Sequence, residues 1–274
     1  MTSLQAPVGS GMRAVERPRP SRLIIAGATA LAVLGLASSG VSPVAAEAGL
    51  AGVGASQVVH VSPLAASAAG SAVVANDYAS IFQSQAPELV NSGWNSCAGP
   101  VTWSIDSRQL TPAEASVQVG NARWALEQWA KASGLSFAFT GEVPVNYNDK
   151  TFQLTPADGS PVAVRHVYLT FLGRGESKLL GASTLGFGAP STVAVASREI
   201  TGGNAVFRTD YVQDPGRNPI RKLRSLYLHE LGHVLGLSHA ALTENIMYPI
   251  VDRNVTLGAG DVRGIHVMTK PCGA

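Results

Sequence analysis

The sequence is short of charged residues. Charged residues make up 14% of the 274 residues, against 46% that are hydrophobic, so the chain is apolar enough to form a packed core. The formal net charge is only +2. A balance this close to neutral lacks the basic footprint of a nucleic-acid-binding protein, and we expect no nucleic-acid partner.

Hydrophobic runs of membrane-spanning length are lacking at the start of the chain. The uncharged run at residues 23–36 is shorter than the ~20 residues that a spanning helix needs. Four arginines precede it and the small residues Val44-Ala45-Ala46 follow it. This order is typical of a secretory signal peptide, which we predict within residues 1–46. The mature protein is then expected to be secreted, without stable membrane association. The loss of four arginines and one glutamate lowers its net charge from +2 to −1.

Residues 47–92 have few charges and no persistent helical or strand period. They are rich in alanine, glycine, serine and valine, which favours a low-complexity propeptide or linker. His60 lies in this segment, and we assign it no role. Residues 93–274 form the predicted main domain, whose size is ordinary for a single domain.

The run from His229 to His239, HELGHVLGLSH, contains a complete metal site. His229 and His233 are four residues apart, so a helix places both imidazoles on one face. Gly236 allows a sharp turn with positive φ after the helix, and this turn brings His239 back as a third ligand. Three nitrogen ligands with one open position are typical of a catalytic zinc. Glu230 stands beside the metal without being needed to bind it.

This pattern resembles the long zinc-binding motif of the metzincin peptidases, HExxHxxGxxH. Asn245-Ile246-Met247-Tyr248-Pro249 resembles their Met-turn, and the Met-Tyr-Pro wording is similar to the matrixin branch. Residues 257–265 are similar to the last helix of matrixin catalytic domains. Met247 is expected to lie beneath the metal without binding it. We assign Tyr248 no catalytic role, because Pro249 holds the position where other branches carry a tyrosine.

The resemblance implies an α+β fold: a metzincin-like twisted mixed β-sheet with a backing helix, a zinc-binding active-site helix, a Met-turn and a C-terminal helix. It implies a secreted zinc endopeptidase that acts on proteins or peptides, and we expect a monomer. His229, His233 and His239 would bind one catalytic zinc ion. Zinc would activate a water molecule, and Glu230 would act as general base and then protonate the leaving amine.

Two other functions are compatible with the motif. The first is a non-catalytic binding module on the same fold, which the presence of Glu230 disfavours because binding needs no base there. The second is a zinc hydrolase of a non-peptide amide, such as a cell-wall crosslink. The glycine and Met-turn spacing favours a peptidase over this second class.

Further metal sites have little support in the sequence. Outside the main motif there remain only His60, His166 and His266, too few for a second zinc of the kind that vertebrate matrixins carry. We expect His166 and His266 to be partly buried and hydrogen-bonded instead. Aspartates and glycines are present, but no ligand spacing singles out a Ca²⁺ site.

The two cysteines, Cys97 and Cys272, lie near the two ends of the predicted domain. Export to an oxidising compartment favours a disulfide between them. In the alternative, Cys97 is a thiolate that blocks the zinc in a latent form, since Cys97-Ala98-Gly99-Pro100 resembles part of the matrixin latency motif. That motif also carries a following acidic residue, which is missing here.

Local patterns predict the main elements. Thr111 to Glu114 is a capping box with proline at the first helical position, and it opens a helix that reaches about Ser133 and ends at Gly134. Val117, Trp124, Ala125 and Trp129 are expected on its buried face. Strands are predicted at residues 101–105, 135–140, 167–171, 193–196 and 205–207, with a turn at Gly202-Gly203 between the last two.

Two further segments concern the site directly. Residues 180–187 are either the edge strand above the cleft, as the matrixin resemblance implies, or a glycine-rich loop. An edge strand there would offer unpaired backbone groups to an extended peptide. Asn218 and Pro219 are the expected cap and first residue of the zinc-binding helix.

Overall fold

The computed structural model describes residues 58–60, 77–83, 86–181, 183–251 and 254–271. The predicted signal peptide at residues 1–46 lies outside these ranges, as do Cys272 and much of the predicted linker at 47–92. Within the described ranges, none of the helices has the length and apolar character required to cross a bilayer.

Six strands form one mixed sheet, and four shorter strands form two small pairs. In chain order the strands are β1 (Val58–His60), β2 (Trp94–Asn95), β3 (Val101–Asp106), β4 (Phe137–Glu142), β5 (Val145–Asn148), β6 (Gln153–Pro156), β7 (His166–Leu172), β8 (Gly186–Ala194), β9 (Glu199–Arg208) and β10 (Thr269–Lys270). The large sheet has the order β1-β8-β9-β7-β3-β4. Its neighbours from β9 to β4 pair in parallel, whereas β8 is antiparallel to both β9 and β1.

The helices of the described ranges are α1 (Pro112–Ser133), α2 (Thr209–Val212), α3 (Ile220–Val234) and α4 (Ala259–Val267). The long helix α1 packs against α3, where the indole N–H of Trp129 donates to the carbonyl of Leu228 at 3.0 Å. This combination of a mixed sheet with a long backing helix and a C-terminal helix confirms the predicted α+β fold.

The local signals for α1 are confirmed at both ends. Thr111 and Glu114 form the reciprocal capping box, and Gly134 ends the helix with a φ of 73°. Trp129 is fully buried and Trp124 is half-buried. Val117 contradicts the predicted buried face, because its side chain is 50% exposed. It lies in the first turns of the helix, which the neighbouring elements do not cover on that side.

The hairpin between β8 and β9 turns at residues 195–198, not at the predicted Gly202-Gly203. The two glycines lie inside β9 and serve close packing. A Cβ on Gly202 would come 2.6 Å from the hydroxyl of Thr192, and one on Gly203 would come 2.5 Å from Val234 of α3. The residues look like a turn in the sequence because glycine suits either purpose.

The sequence left residues 180–187 as either an edge strand or a glycine-rich loop, and the structure contains a part of each. Strand β8 begins only at Gly186, and the chain before it forms a loop. The strand's Gly186 and Gly188 face Glu230 of α3, where a Cβ on Gly188 would overlap the Glu230 carbonyl and one on Gly186 would come 3.1 Å from Cγ of Glu230. Phe187 points to the opposite face of the sheet, as strand alternation requires, and joins a second hydrophobic cluster under the β5–β6 hairpin.

His166 is buried and hydrogen-bonded, as predicted. Its ring nitrogens lie 2.8 Å from the hydroxyls of Thr102 and Ser104 on the neighbouring strand. Burial lowers the pKa of its imidazole to about 4. His266, by contrast, is exposed on α4 and not partly buried.

Three side chains N-terminal to the predicted domain boundary lie in the main hydrophobic core. Ile81, Phe82 and Leu89 are at most 2% exposed and belong to the same cluster as Trp129 and Leu231. The division of the chain at residue 93 stays a prediction, but the packed unit already includes these upstream residues.

We expect Trp129→Phe to lower the free energy of unfolding by about 2 kcal/mol. The substitution leaves a cavity and removes the hydrogen bond to Leu228 in a fully buried place. Urea denaturation monitored by circular dichroism would measure it. Trp124→Phe is the matched control on the same helix, and an equal loss there would contradict the assignment of Trp129 as the central contact between α1 and α3.

Candidate metal centre

Helix α3 carries the first two histidines of the motif and then ends abruptly. His229 and His233 lie one turn apart and are 1% and 3% exposed. The helix ends at Val234, and Gly236 follows with a φ of 106°. Only glycine adopts this conformation without strain, and the turn brings His239 back to the other two rings. The predicted role of Gly236 is therefore confirmed.

The three rings point their Nε2 atoms at one another. Nε2 of His229 lies 3.1 Å from Nε2 of His233 and 3.3 Å from Nε2 of His239. Two ligands of a tetrahedral zinc, each bonded at about 2.1 Å, lie roughly 3.4 Å apart. The observed spacing of the nitrogen atoms thus fits a zinc ion without rearrangement.

Backbone carbonyls determine which nitrogen of each helical histidine can bind a metal. Nδ1 of His229 lies 2.8 Å from the carbonyl oxygen of Ile246, and Nδ1 of His233 lies 2.8 Å from that of Leu237. A carbonyl oxygen only accepts, so each Nδ1 carries the proton and each Nε2 keeps its lone pair. No local sequence pattern identifies these two acceptors, because each is the backbone carbonyl of a residue outside the helix.

Burial keeps the three imidazoles neutral. It lowers the pKa of His229 to about 4 and that of His239 to about 3, and it lowers the pKa of His233 well below its usual value. The Nε2 atoms of His229 and His233 face each other as two acceptors with no donor between them. A cation is the partner that their chemistry requires.

Glu230 directly follows His229 in α3, and its side chain lies against strand β8. Its side chain is 1% exposed, and Oε1 has no hydrogen-bond partner among the residues that the structure describes. Burial raises the pKa of its carboxyl group to about 8, and a hydrogen bond from the backbone of Gly188 opposes this shift. A dication on the neighbouring imidazoles would favour the ionised form.

Met247 lies beneath the helical histidines, as the Met-turn resemblance implies. A Cβ on Gly232, which lies between His229 and His233, would overlap Sδ of Met247. The thioether is buried against this bare stretch of helix. The absence of a side chain at Gly232 is what lets the Met-turn approach α3.

Asp261 is the main residue of this site that sequence reasoning missed. Its buried carboxylate accepts hydrogen bonds from the backbone N–H groups of Ile246 at 2.6 Å, Met247 at 3.2 Å and Gly258 at 2.7 Å. It therefore holds the turn whose Ile246 carbonyl orients His229. An acidic residue three positions after a helix cap was a visible signal, but it indicated only a local cap.

Helix α3 begins one residue later than predicted. Pro219 is the capping residue and Ile220 is the first helical one, with no side-chain cap. Asn218 instead donates from its amide to the carbonyl of Tyr211 at 2.9 Å. The side chain is committed to the preceding helix, so it does not cap α3.

Comparison with known proteins agrees with this geometry. The family model for matrixin matches residues 93–269. The chain belongs to the matrixin family. It is 45% identical over 49 residues to metalloendoproteinase 2-MMP of Arabidopsis thaliana, and 44% identical over 47 residues to metalloendoproteinase 5-MMP of the same plant. These matches cover 17% and 16% of this chain, and each covers 13% of the relative.

The matrixin site brings together the ligand atoms of His229, His233 and His239, and Glu230 follows His229 in the same helix with its side chain against β8. Within the described ranges the three histidines are the side chains whose ligand atoms, within 4.8 Å of one another, form a candidate metal-binding group. Nothing in those ranges supports a calcium site, and the expectation of one zinc per molecule stays a prediction.

We expect His233→Ala to abolish tight zinc binding, because two imidazoles cannot replace three in a site of this kind. Metal analysis after dialysis would measure the zinc content of the parent and the variant. His266→Ala removes an exposed histidine from α4 and serves as the control. A His233→Ala protein that keeps its zinc would show that the metal is bound elsewhere.

Proposed function

We propose that this matrixin is a secreted zinc endopeptidase that uses Glu230 as general base. The observation that carries the proposal is the convergence of the Nε2 atoms of three histidines, together with the buried carboxylate of Glu230, whose Oε1 has no hydrogen-bond partner among the described residues. Membership of the matrixin family supports the same activity.

His229, His233 and His239 would hold the metal. A zinc ion in this place supplies Lewis acidity and makes water a nucleophile near neutral pH. The protein's own contribution is a proton acceptor that is already in position. Gly188 N–H binds the Glu230 carboxylate, and this leaves Oε1 to accept a proton from water and to return it to the leaving amine.

We propose that the substrate binds along the side of β8 that faces away from β9. β1 pairs with this edge only at Thr192–Ala194, and no described strand pairs with the outer side of Gly186–Ser191. An extended peptide added at this edge would gain backbone hydrogen bonds as a further strand. Its middle would then lie beside Gly186 and Glu230. This arrangement suits a peptide better than a compact non-peptide amide.

We expect Glu230→Gln to lower the rate of peptide-bond hydrolysis by about 10²–10⁴-fold, the typical contribution of a general base. Zinc content should stay at the parent level because the three imidazoles remain. Hydrolysis of casein, with zinc assayed on the same samples, would measure both. Glu244→Gln, at an exposed position near the Met-turn, is the matched control.

Equal cleavage by Glu230→Gln and the parent would refute the general-base role. A zinc-loaded parent that cleaves no peptide bond would favour the two other functions. Binding of a protein without turnover would then indicate the binding module, and hydrolysis of cell-wall material would indicate the non-peptide hydrolase.

Export and a disulfide between Cys97 and Cys272 belong to the same proposal. Cys272 lies outside the described residues, but the residues that precede the two cysteines lie close to one another. Strand β2 pairs with β10, and Ser96 N–H donates to the carbonyl of Lys270 at 3.1 Å. Cys97 directly follows Ser96, and Cys272 lies two positions after Lys270.

Peptide mapping without reduction should recover Cys97 and Cys272 in one linked peptide. The bond would close a very long loop and stabilise the fold by up to about 4–5 kcal/mol in the chain-entropy model. Double replacement by serine would lower the denaturation midpoint accordingly. A Cys97 that reacts with an alkylating reagent in the native protein would support the latency alternative instead.

A further inference from the structure

Residues 77–83 run beside the loop that returns His239 to the metal centre. The N–H of Ile81 donates to the carbonyl of Gly236 at 2.9 Å, and the N–H of Ser238 donates to the carbonyl of Ala79 at 2.8 Å. Ser80 and Leu237 thus form an antiparallel bridge. A short piece of two-stranded ladder therefore holds the chain from the end of α3 to the third ligand.

The loop that this ladder holds contains the residues that position two of the histidines. The carbonyl of Leu237 accepts the Nδ1 proton of His233, and Ser238 is the residue before His239. A shift of this loop would move His239, and it would also remove the Leu237 carbonyl that orients His233. Partners of metal ligands of this kind affect metal affinity strongly.

The start of the same segment reaches the second orienting loop. Asn245 donates from its amide to the carbonyl of Asp77 at 3.0 Å and accepts from the N–H of Gly260 at 3.0 Å. Asn245 directly precedes Ile246, whose carbonyl orients His229. The carboxylate of Asp77 also forms an ion pair with Arg263 of α4.

Two glycines of α4 leave space for the segment. A Cβ on Gly260 would overlap the carbonyl of Asp77. A Cβ on Gly264 would come 2.9 Å from Cβ of Tyr78 and 2.6 Å from Leu237 Cδ2. Gly264 therefore lies at the point where the segment, the ligand loop and α4 meet.

We propose that residues 77–83 are a positioning element of the metal centre, which holds the loops of Leu237 and Ile246 and thereby the three zinc ligands. The proposal rests on the zinc site of the proposed function. It also limits processing: a removable N-terminal segment ends before Asp77, within the predicted linker, and not at residue 92.

The test is to add a methyl group at Gly264, where residues 77–83, the Leu237 loop and α4 meet. In the full chain, Gly264→Ala would push apart Tyr78 and Leu237, whereas Gly120→Ala on α1 would project its methyl group into open space. We expect zinc to transfer from Gly264→Ala to a chelator about 10-fold faster than from the parent, in line with other substitutions around metal ligands. We expect Gly120→Ala to match the parent.

Two further readouts separate positioning from a general loss of stability. Zinc raises the melting temperature by an amount that grows with the logarithm of its affinity, so Gly264→Ala should show a smaller zinc-dependent increase than the parent. The visible absorption of the cobalt-substituted protein should change because a ligand has moved. If Gly264→Ala lowered the stability of the zinc-free and zinc-bound forms equally, with parental zinc release and cobalt spectrum, the proposal would be wrong.

A second variant covers the case in which Gly264→Ala does not fold. Asn245→Asp loses the donor to Asp77 and places a carboxylate against that carbonyl, and Asn146→Asp, at an exposed position of β5, is its control. Faster zinc release from Asn245→Asp alone supports the proposal, and parental release from both overturns it. A parent that binds zinc but cleaves nothing would refute only the endopeptidase function, since zinc release still tests the positioning element. A parent that binds no zinc would overturn both.

Discussion

The structure depends on three imidazole rings that are held against one another in a buried place. The Nε2 atoms of His229 and His233 can only accept and lie 3.1 Å apart, and Nε2 of His239 lies 3.3 Å from that of His229. Two facing acceptors are unfavourable until a cation joins them. The rings do not turn away because Nδ1 of His229 and of His233 is bound to a backbone carbonyl. The backbone therefore prepares the ligands before the metal arrives, which is how a protein makes a metal site selective in geometry.

The two carbonyls belong to loops that would otherwise be free to move, and much of the surrounding structure restrains them. Asp261 binds the N–H groups of Ile246 and Met247 from α4. The chain at Ala79 and Ile81 binds the loop around Leu237. Glycines in α3, α4 and β8 let these parts approach to distances that no larger residue permits. The metal centre is thus the place where α3, β8, α4 and residues 77–83 meet.

Much of the fold was predictable where the signal was local. The capping box at Thr111, the stop at Gly134 and the turn at Gly236 all follow from the chemistry of a few neighbouring residues, and the structure has each of them. The errors arose where one residue type serves several purposes. The sequence predicts a turn at Gly202 and Gly203, but in the structure these glycines lie within β9 and allow Thr192 and Val234 to pack closely against the strand. The β5–β6 hairpin, with its own small hydrophobic cluster, carried no recognisable pattern at all.

The sequence by itself determined that three histidines converge, because helical periodicity and one glycine turn bring His229, His233 and His239 together within eleven consecutive residues. It also determined the family, since the matrixin motif lies in this same run. Only the tertiary structure decided which carbonyls orient the rings, that Asp261 holds the Met-turn, and that residues 77–83 adjoin the third ligand. These contacts join positions up to 168 residues apart, as between Asp77 and Asn245. No local pattern encodes them, because they depend on how the sheet and helices pack.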